Sequence, residues 1–233
     1  MKPIAQLRRE YERHGLSEQD AGADPFALFE RWLRAAIAAH ADEATAMTLA
    51  TATRGPRPRS RGRDGAGRSG GNDSGGATAR IVLLKDFDHH GFSFFTNYLS
   101  AKGRELKANT SATLLFFWPA LERQVRIEGA VSRTSAAASD AYFASRPRGS
   151  QLAAWASPQS RVIESRTVLE KALKAMEKKF AGKDVPRPPH WGGYVLHPRV
   201  IEFWQGRPNR LHDRLRYVRK GKTQMWRRER LAP

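Results

Sequence analysis

The chain has 233 residues, with 41 Lys and Arg against 23 Asp and Glu, a formal net charge of +18 at pH 7. The absence of Cys excludes a disulfide scaffold and any Cys-ligated metal, and no uncharged apolar run approaches the roughly 20 residues of a membrane-spanning helix. Residues 1–20 are charged throughout with no apolar centre, so no secretory signal is expected; the composition points to a cytoplasmic, globular protein whose excess cations attract phosphates.

Residues 1–14 form a short, charged helical candidate. In DPFALFERWLRAAIAAHA (24–41), Asp24 is a good N-cap and Pro25 suits the first helical position. Phe29, Trp32, Leu33, Ala36 and Ile37 recur at the spacing of one apolar helix face. A strand over 46–53 follows. Residues 54–79, RGPRPRSRGRDGAGRSGGNDSGGATA, hold eight of the 19 glycines, six Arg and two Asp, and contribute +4 of the net charge. With almost no apolar residues and no periodicity, this segment reads as a disordered loop joining the strands on either side.

The second of those strands is expected over 80–86. Asp88-His89-His90-Gly91 marks a hairpin turn into a strand over 92–97. A Ser-capped helix covers 100–109. Strands over 113–118 and 123–132 pair, with Val125, Ile127 and Gly129 alternating against Arg126 and Glu128. Helices are predicted over 135–145 and 163–180. The second has Leu169, Leu173, Met176 and Phe180 on one face and a Glu170–Lys174 pair on the other, and Pro186, Pro188 and Pro189 stop it. Strands over 193–196, 200–205, 215–219 and 223–227 complete a mainly antiparallel barrel or sandwich with added helices.

No phosphate-loop, dinucleotide or zinc-hydrolase motif occurs. Several weaker constellations do. Arg80 and Lys85 bracket an apolar strand, as strand-end cations or as ligands. Thr96, Asn97, Ser100 and Lys102 stand at a helix start, which suits either an anion or an ordinary cap. Gln124 opens a strand and could bond a heteroaromatic edge. Arg146-Pro147-Arg148-Gly149-Ser150 could clamp a phosphate or form a solvated turn. Gln159-Ser160, after Trp155 and Pro158, suggests a fixed loop. Glu202-Phe203-Trp204-Gln205-Gly206 precedes Arg210-Leu211-His212-Asp213-Arg214. If extended, Arg210 and His212 share a face and Asp213 can pair with either neighbouring Arg, as part of a site or of a surface ion-pair patch.

Together these segments closely resemble the FMN-dependent pyridoxine/pyridoxamine 5′-phosphate oxidases. The resemblance runs through LRREY (7–11), DPFALFERWL (24–33), ARIVLLK (79–85), FFTNYLSAKGREL (94–106), LERQVRIEG (121–129), YFASRPRGSQLAAWASPQS (142–160), PPHWGGY (188–194), IEFWQGRPNRLHDR (201–214) and ERLAP (229–233), nearly the whole chain except 54–79. It implies a mainly β fold with peripheral helices, an FMN-binding split β-barrel of Greek-key type. This would be a single domain over 1–233, with an N-terminal helical lid over 1–20 and the disordered insertion at 54–79. It also implies a homodimer with FMN at the subunit interface. Cofactor contacts would come from Arg80, Ile81, Val82, Leu83, Leu84, Lys85, Phe95, Thr96, Lys102, Gln124, Gln159, Ser160, Trp204 and Arg214. The substrate would meet Arg8, Tyr11, Lys85, Tyr142, Arg146 and Ser150, with Arg210 and His212 at the reacting end.

The implied reaction oxidises pyridoxamine or pyridoxine 5′-phosphate with O2 to pyridoxal 5′-phosphate and H2O2, with ammonia from the amine, in vitamin B6 biosynthesis or salvage. A non-catalytic flavin- or pyridoxal-phosphate-binding split barrel is the alternative, and nucleic-acid binding is a question for 54–79 alone. Two departures stand out. The family's Ser-Arg-Lys is Ser100-Ala101-Lys102 here, which removes one charge-assisted bond to the FMN phosphate, worth about 1.5–3 kcal/mol or roughly 10- to 150-fold in affinity unless another cation, such as Arg104 or an Arg of the loop, replaces it. The insertion replaces a much shorter turn. It is read either as a tolerated surface loop or as a tether for an anionic polymer.

Overall fold

The computed structural model describes residues 11, 15–39, 43–53, 76–219, 221 and 225–233. Arg8, the rest of the predicted helix over 1–14 apart from Tyr11, and residues 54–75 of the insertion lie outside the described residues.

Asp24 acts as its side chain predicts. Its Oδ1 accepts from the Phe26 N–H at 2.9 Å, and Pro25 opens α2 (Pro25–Ala38), which follows the short α1 (Glu18–Ala21). Phe26, Leu28, Phe29, Trp32, Leu33 and Ala36 are buried. Ile37, expected on that face, is 55% exposed, because eight helical steps carry it about 80° round from Phe29 and past the contact.

The sheet is built from β1 (Ala46–Ala52), β2 (Ala77–Leu83), β3 (Asp86–Asp88), β4 (Gly91–Asn97), β5 (Ser111–Trp118), β6 (Arg123–Arg133), β7 (Trp191–Gln205), β8 (Asp213–Arg219) and β9 (Trp226–Leu231). All pairings are antiparallel, in the order β2-β1-β5-β6-β7-β4-β3, with β8 on the second half of β7 and β9 beyond it. The Lys85 N–H donates to Ser93 O at 2.9 Å, which ties the exit of β2 to β4 and curls the sheet into a split barrel. Apolar side chains fill it: Met47, Leu49, Phe92, Phe94, Leu114, Phe116, Val125, Ile127, Ile201, Phe203, Leu215 and Tyr217 are all essentially inaccessible, and Phe29 of α2 plugs one side. Helices α3 (Ala101–Ala108), α4 (Ala136–Ala144), α5 (Arg148–Ala156) and α6 (Arg166–Lys179) are peripheral. Phe143, Leu152, Phe180, Val185 and Trp191 form a second, smaller core where the later helices meet β7. Among the described residues no helix is long and apolar enough to cross a membrane.

Four local expectations need correction. Ala77–Ala79 belong to β2, paired with Ala50–Ala52, so the insertion closes three residues earlier than its composition suggested. The segments 193–196 and 200–205 are one strand. Pro198 cannot donate to the ladder, and the register shifts between Glu128 and Gly129, a bulge that lets the strand continue. A Cβ on Gly129 would collide with the His197 carbonyl, so the bulge needs glycine there. Arg148–Ala156 is a helix rather than a turn, begun by Pro147, whose carbonyl accepts from Ser150 and Gln151 N–H. Glu170 pairs with Arg166 at 3.1 Å rather than with Lys174.

Candidate active site

A cavity of about 600 Å³ opens between β2, β4, α3 and the α4–α5 pair. Ile81, Val82 and Leu83 of β2, Lys85 just beyond it, Phe95, Thr96 and Asn97 of β4, and Lys102 of α3 form one side; Tyr142, Arg146, Pro147, Ser150, Ala153, Ala154, Ser157, Gln159 and Trp191 form the other. Among the described residues three cations and no carboxylate line it.

Each group is held by local structure. Ser100 caps α3 by accepting from Gly103 N–H at 3.3 Å, and Asn97 Oδ1 accepts from Leu99 N–H at 2.7 Å. Ser100 therefore serves as a helix cap, while Lys102, one residue into the helix, faces the cavity. Burial, and then the nearby Arg80 charge, lower the Lys102 pKa from its ordinary value. Thr96 donates to Gln159 Oε1 at 3.2 Å, which joins the β4 wall to the loop after α5. Phe95, Tyr142 and Trp191 stack nearly parallel, with Phe95–Tyr142 centroids 4.0 Å apart and Phe95–Trp191 5.5 Å apart. Arg146 lies over this ladder, 4.6 Å from the Trp191 centroid. Its Nη1 is buried with no hydrogen-bond partner, and burial lowers its pKa from the ordinary guanidinium value.

A second group gathers at the far end of β7. Trp204 packs on His212 with centroids 4.6 Å apart, and Tyr11 meets both edge-on at 5.6 and 5.7 Å. Gly206 leaves room for this, since a Cβ there would meet the Tyr11 ring at 2.8 Å. The Arg207 N–H donates to His212 Nδ1 at 3.1 Å, which leaves the proton of a neutral ring on Nε2. Burial and the Arg210 charge lower the His212 pKa. Gln124 registers opposite Trp204 on β6. Asn209 and Arg210 both hold positive φ, 54° and 59°, in the turn before β8; such backbone in non-glycine residues stores strain of order 1–3 kcal/mol each and is typical of functional loops.

Several expectations shift here. Residues 208–210 form a tight 3-10 turn, so Arg210 and His212 do not alternate along a strand. Asp213 pairs with Arg207 and Arg230, not with Arg210 or Arg214. Arg214 is held by Glu202 at 2.8 Å and donates to Ala232 O at 3.0 Å. Arg80 is bound by Glu105 at 2.7 Å, outside the cavity lining. Leu84 is in the barrel core, and its N–H donates to Thr45 O, so neither its side chain nor its amide is free for a ligand. Ser160, at φ 66°, is exposed and beside the cavity rather than in it. Arg104 does not replace the missing Arg at 101, because its Nη1 donates to Leu99 O at 2.5 Å.

Within one chain, therefore, Ile81, Val82, Leu83, Lys85, Phe95, Thr96, Lys102, Tyr142, Arg146, Ser150 and Gln159 converge, whereas Tyr11, Gln124, Trp204, Arg210, His212 and Arg214 are not in that lining. Trp191 and Trp204 stand at opposite ends of β7, on the order of 40 Å apart for a straight strand. Trp191 itself, and Pro147, Ala153, Ala154 and Ser157, were not singled out as site residues. The available signal for Trp191 was the Gly192-Gly193 pair after it, since glycines inside a strand mark a close approach: a Cβ on either would clash with Tyr98 or Phe95.

Residues 33–180 match the family model described as pyridoxamine 5′-phosphate oxidase, and residues 191–233 match that of the pyridoxine 5′-phosphate oxidase C-terminal dimerisation region. A curated relative from Rubrobacter xylanophilus, named pyridoxine/pyridoxamine 5′-phosphate oxidase, is 53% identical over 100% of this chain and 97% of its own length. One of the same name from Burkholderia lata is 51% identical, with 100% of each chain covered. Among solved structures, PhzG from Burkholderia lata 383 in complex with tetrahydrophenazine-1-carboxylic acid matches with a TM-score of 0.81 at 29% identity, covering 97% of this chain and 100% of that one. A pyridoxamine 5′-phosphate oxidase-related, FMN-binding protein from Nostoc punctiforme shares the fold, with a TM-score of 0.60 at 17% identity over 94% of this chain and 100% of that one.

Proposed function

The chain belongs to the pyridoxamine 5′-phosphate oxidase family, and from that premise we propose that it is the FMN-dependent oxidase of pyridoxamine or pyridoxine 5′-phosphate, producing pyridoxal 5′-phosphate and H2O2. The observation that carries this reading is the cavity: Lys85, Lys102 and a buried Arg146 Nη1 without a partner, around a stacked aromatic wall and with no lining carboxylate. Two dianionic phosphates on planar ring systems satisfy such a set, because each supplies the acceptors these donors lack.

Lys102, with Ile81, Val82, Leu83, Thr96 and Gln159, would hold FMN, which when bound would supply two-electron redox chemistry with O2 as final acceptor. Lys85, Tyr142, Arg146 and Ser150 hold the substrate phosphate. The substrate's C4′ carbon would give up a hydride and its nitrogen (or hydroxyl oxygen) a proton, two electrons and two protons in all, which the bound FMN and then O2 would take up as H2O2; the amine is left as an imine that water converts to aldehyde and ammonia. Arg210 orients and polarises the pyridine. His212, fixed by Arg207 N–H on Nδ1, presents Nε2–H as a hydrogen-bond donor.

The two groups at the ends of β7 serve one reaction when two copies pair, Trp204, Arg210, His212 and Arg214 of one chain completing the cavity of the other. Their place in the segment matching the dimerisation region supports this, as do the exposed apolar Ile81 (61%) and Phe117 (52%). The ligand of the PhzG structure, tetrahydrophenazine-1-carboxylic acid, is a carboxylic acid without a phosphate, so a cavity with three cations favours the phosphorylated substrate. In the test, the purified protein shows a flavin spectrum, pyridoxamine phosphate bleaches it without O2, and peroxide and aldehyde form in air. Mixing an Arg146→Met chain with an Arg210→Met chain, at a pyridoxamine phosphate concentration so far below the raised KM that neither alone turns over appreciably, restores about a quarter of the activity, as random pairing with one intact site per mixed dimer requires. A colourless protein that stays inactive with added FMN sinks the proposal.

A further inference from the structure

Beside the cavity, but outside its lining, one carboxylate gathers three elements. Glu105 of α3 accepts at Oε2 from the Thr51 hydroxyl at 2.6 Å, the Thr78 hydroxyl at 2.9 Å and Arg80 Nη2 at 2.7 Å. The same guanidinium donates to Thr51 Oγ1 at 2.5 Å and Thr78 Oγ1 at 2.7 Å. Strands β1 and β2 and the helix are thereby tied at a single point. Burial acts to raise the Glu105 pKa, and the hydrogen bonds from Thr51, Arg80 and Thr78 outweigh it, so the carboxyl lies below the ordinary glutamate value.

Lys102 lies one turn earlier on the same helix, and the Arg80 charge is near enough to depress its pKa. Position 101 is Ala, and Arg104 is turned to the Leu99 carbonyl, so among the described residues of β2 and α3 the cations left for that end of the cavity are Lys102 and Arg80. An Arg on β2 without anchors samples many rotamers, and ordering it at the moment of binding weakens the ligand's hold.

We infer that Glu105 is a positioning residue: with Thr51 and Thr78 it fixes Arg80 as a stationary second cation close to Lys102 and so sets the affinity for the FMN phosphate. This rests on the FMN reading above. Nothing in the sequence pattern marks Glu105, which looks like an ordinary solvated helix residue until the strands are folded against it.

The test is FMN binding to apoprotein, read by quenching of flavin fluorescence, with thermal unfolding of each apoprotein as the folding control. Glu105→Ala should raise the FMN Kd roughly 10-fold, the weight of one charge-assisted contact. Glu105→Gln retains an acceptor for the guanidinium and should stay within about 3-fold of the parent. In an Arg80→Gln background, Glu105→Ala should change nothing further, because there is no guanidinium left to position. Should Glu105→Ala fail to fold, Thr78→Val, at an exposed position that also orients Arg80, takes its place, with a weakening of about 3-fold that vanishes in the Arg80→Gln background. An unchanged or lower Kd in Glu105→Ala, or an equal loss with and without Arg80, overturns the inference. A parent protein that binds no FMN overturns the functional reading with it, whereas tight binding by the parent and by Glu105→Ala alike overturns this inference alone.

Discussion

Arg146 of the cavity wall and the arginines of the β7–β9 edge are chemically identical and physically opposite. On the β7–β9 edge several guanidinium groups meet a carboxylate: Arg214 on Glu202, which Arg126 of β6 shares, Arg216 and Arg227 on Glu229, and Arg230 on Glu18 and Asp213. In the cavity, Arg146 is half-buried over Trp191 with an unpartnered Nη1, and no lining residue can neutralise it. On that edge the paired cations complete the electrostatics of the sheet itself. Cations buried without partners cost the apoprotein stability and make sense only if a ligand brings the anion.

The comparison is tested hardest at Glu202, which is 3% exposed and clamped by two guanidinium groups. Glu202→Gln leaves Arg214 facing a neutral group and Arg126 with Glu128 as its one remaining carboxylate among the described residues. The expected loss is about 3–5 kcal/mol, or on the order of 10 °C in Tm. Burial acts to raise the Glu202 pKa, but the Arg126 and Arg214 bonds hold it below the ordinary glutamate value of 4.5. Its contribution is therefore fully present above that value and disappears as the pH falls through the lower folded-state pKa, so the gap between parent and variant should close in acid. A gap that persists unchanged at pH 3 would show that the pair acts through packing.

Arg146→Met asks the converse question. Removing an unpartnered buried cation should leave the apoprotein no less stable, since an unsatisfied donor costs about 1–3 kcal/mol and roughly offsets the lost contact with Trp191. kcat/KM for pyridoxamine phosphate should fall about 100-fold, mostly through KM. A large loss of apoprotein stability instead would place Arg146 among the arginines that hold the fold, with Arg216.

This distinction between paired and unpaired cations is where the sequence stops being legible. Asp24-Pro25 and the alternation of Val125, Ile127 and Gly129 specify their elements through local rules, and α2 and β6 appear where those rules put them. Eleven of the residues that the resemblance names line one cavity. What a linear reading lacks is which acid meets which base. Asp213 lies one residue from Arg214 yet pairs with Arg230, which β8–β9 pairing brings alongside, and Glu105 reaches Arg80 only because β1, β2 and α3 converge. The extra helix α5 escaped for a different reason. Its Pro147 start and Gly149 resemble turn chemistry, and only packing of Leu152 into the second core decides for helix.

Ala101 offers a milder perturbation, adding a cation to the carboxylate-free side. It is the first residue of α3, half-buried beside Lys102. Ala101→Arg should tighten FMN binding roughly 10-fold or more if the new guanidinium reaches the phosphate, with the affinity becoming more sensitive to salt. An unchanged Kd would mean that Lys102 and Arg80 already saturate the phosphate oxygens.

The smallest effect is expected where the charge is densest. The insertion holds six Arg, so if positive charge by itself made a ligand site, removing it would matter. The structure shows how β1 and β2 close without it. The Thr53 N–H donates to Gly76 O at 3.0 Å and the Gly76 N–H returns to Thr53 Oγ1 at 3.0 Å, so the two ends of the insertion are already joined. Deleting residues 55–74 leaves Arg54 and Gly75 as a two-residue hairpin connection, a length that antiparallel neighbours accept, and the cost of closing a long loop grows only slowly with its length. The shortened protein should keep its FMN affinity and its kcat/KM within about 2-fold, while net charge falls and retention on heparin weakens. A turnover loss beyond 10-fold would assign the insertion to the site.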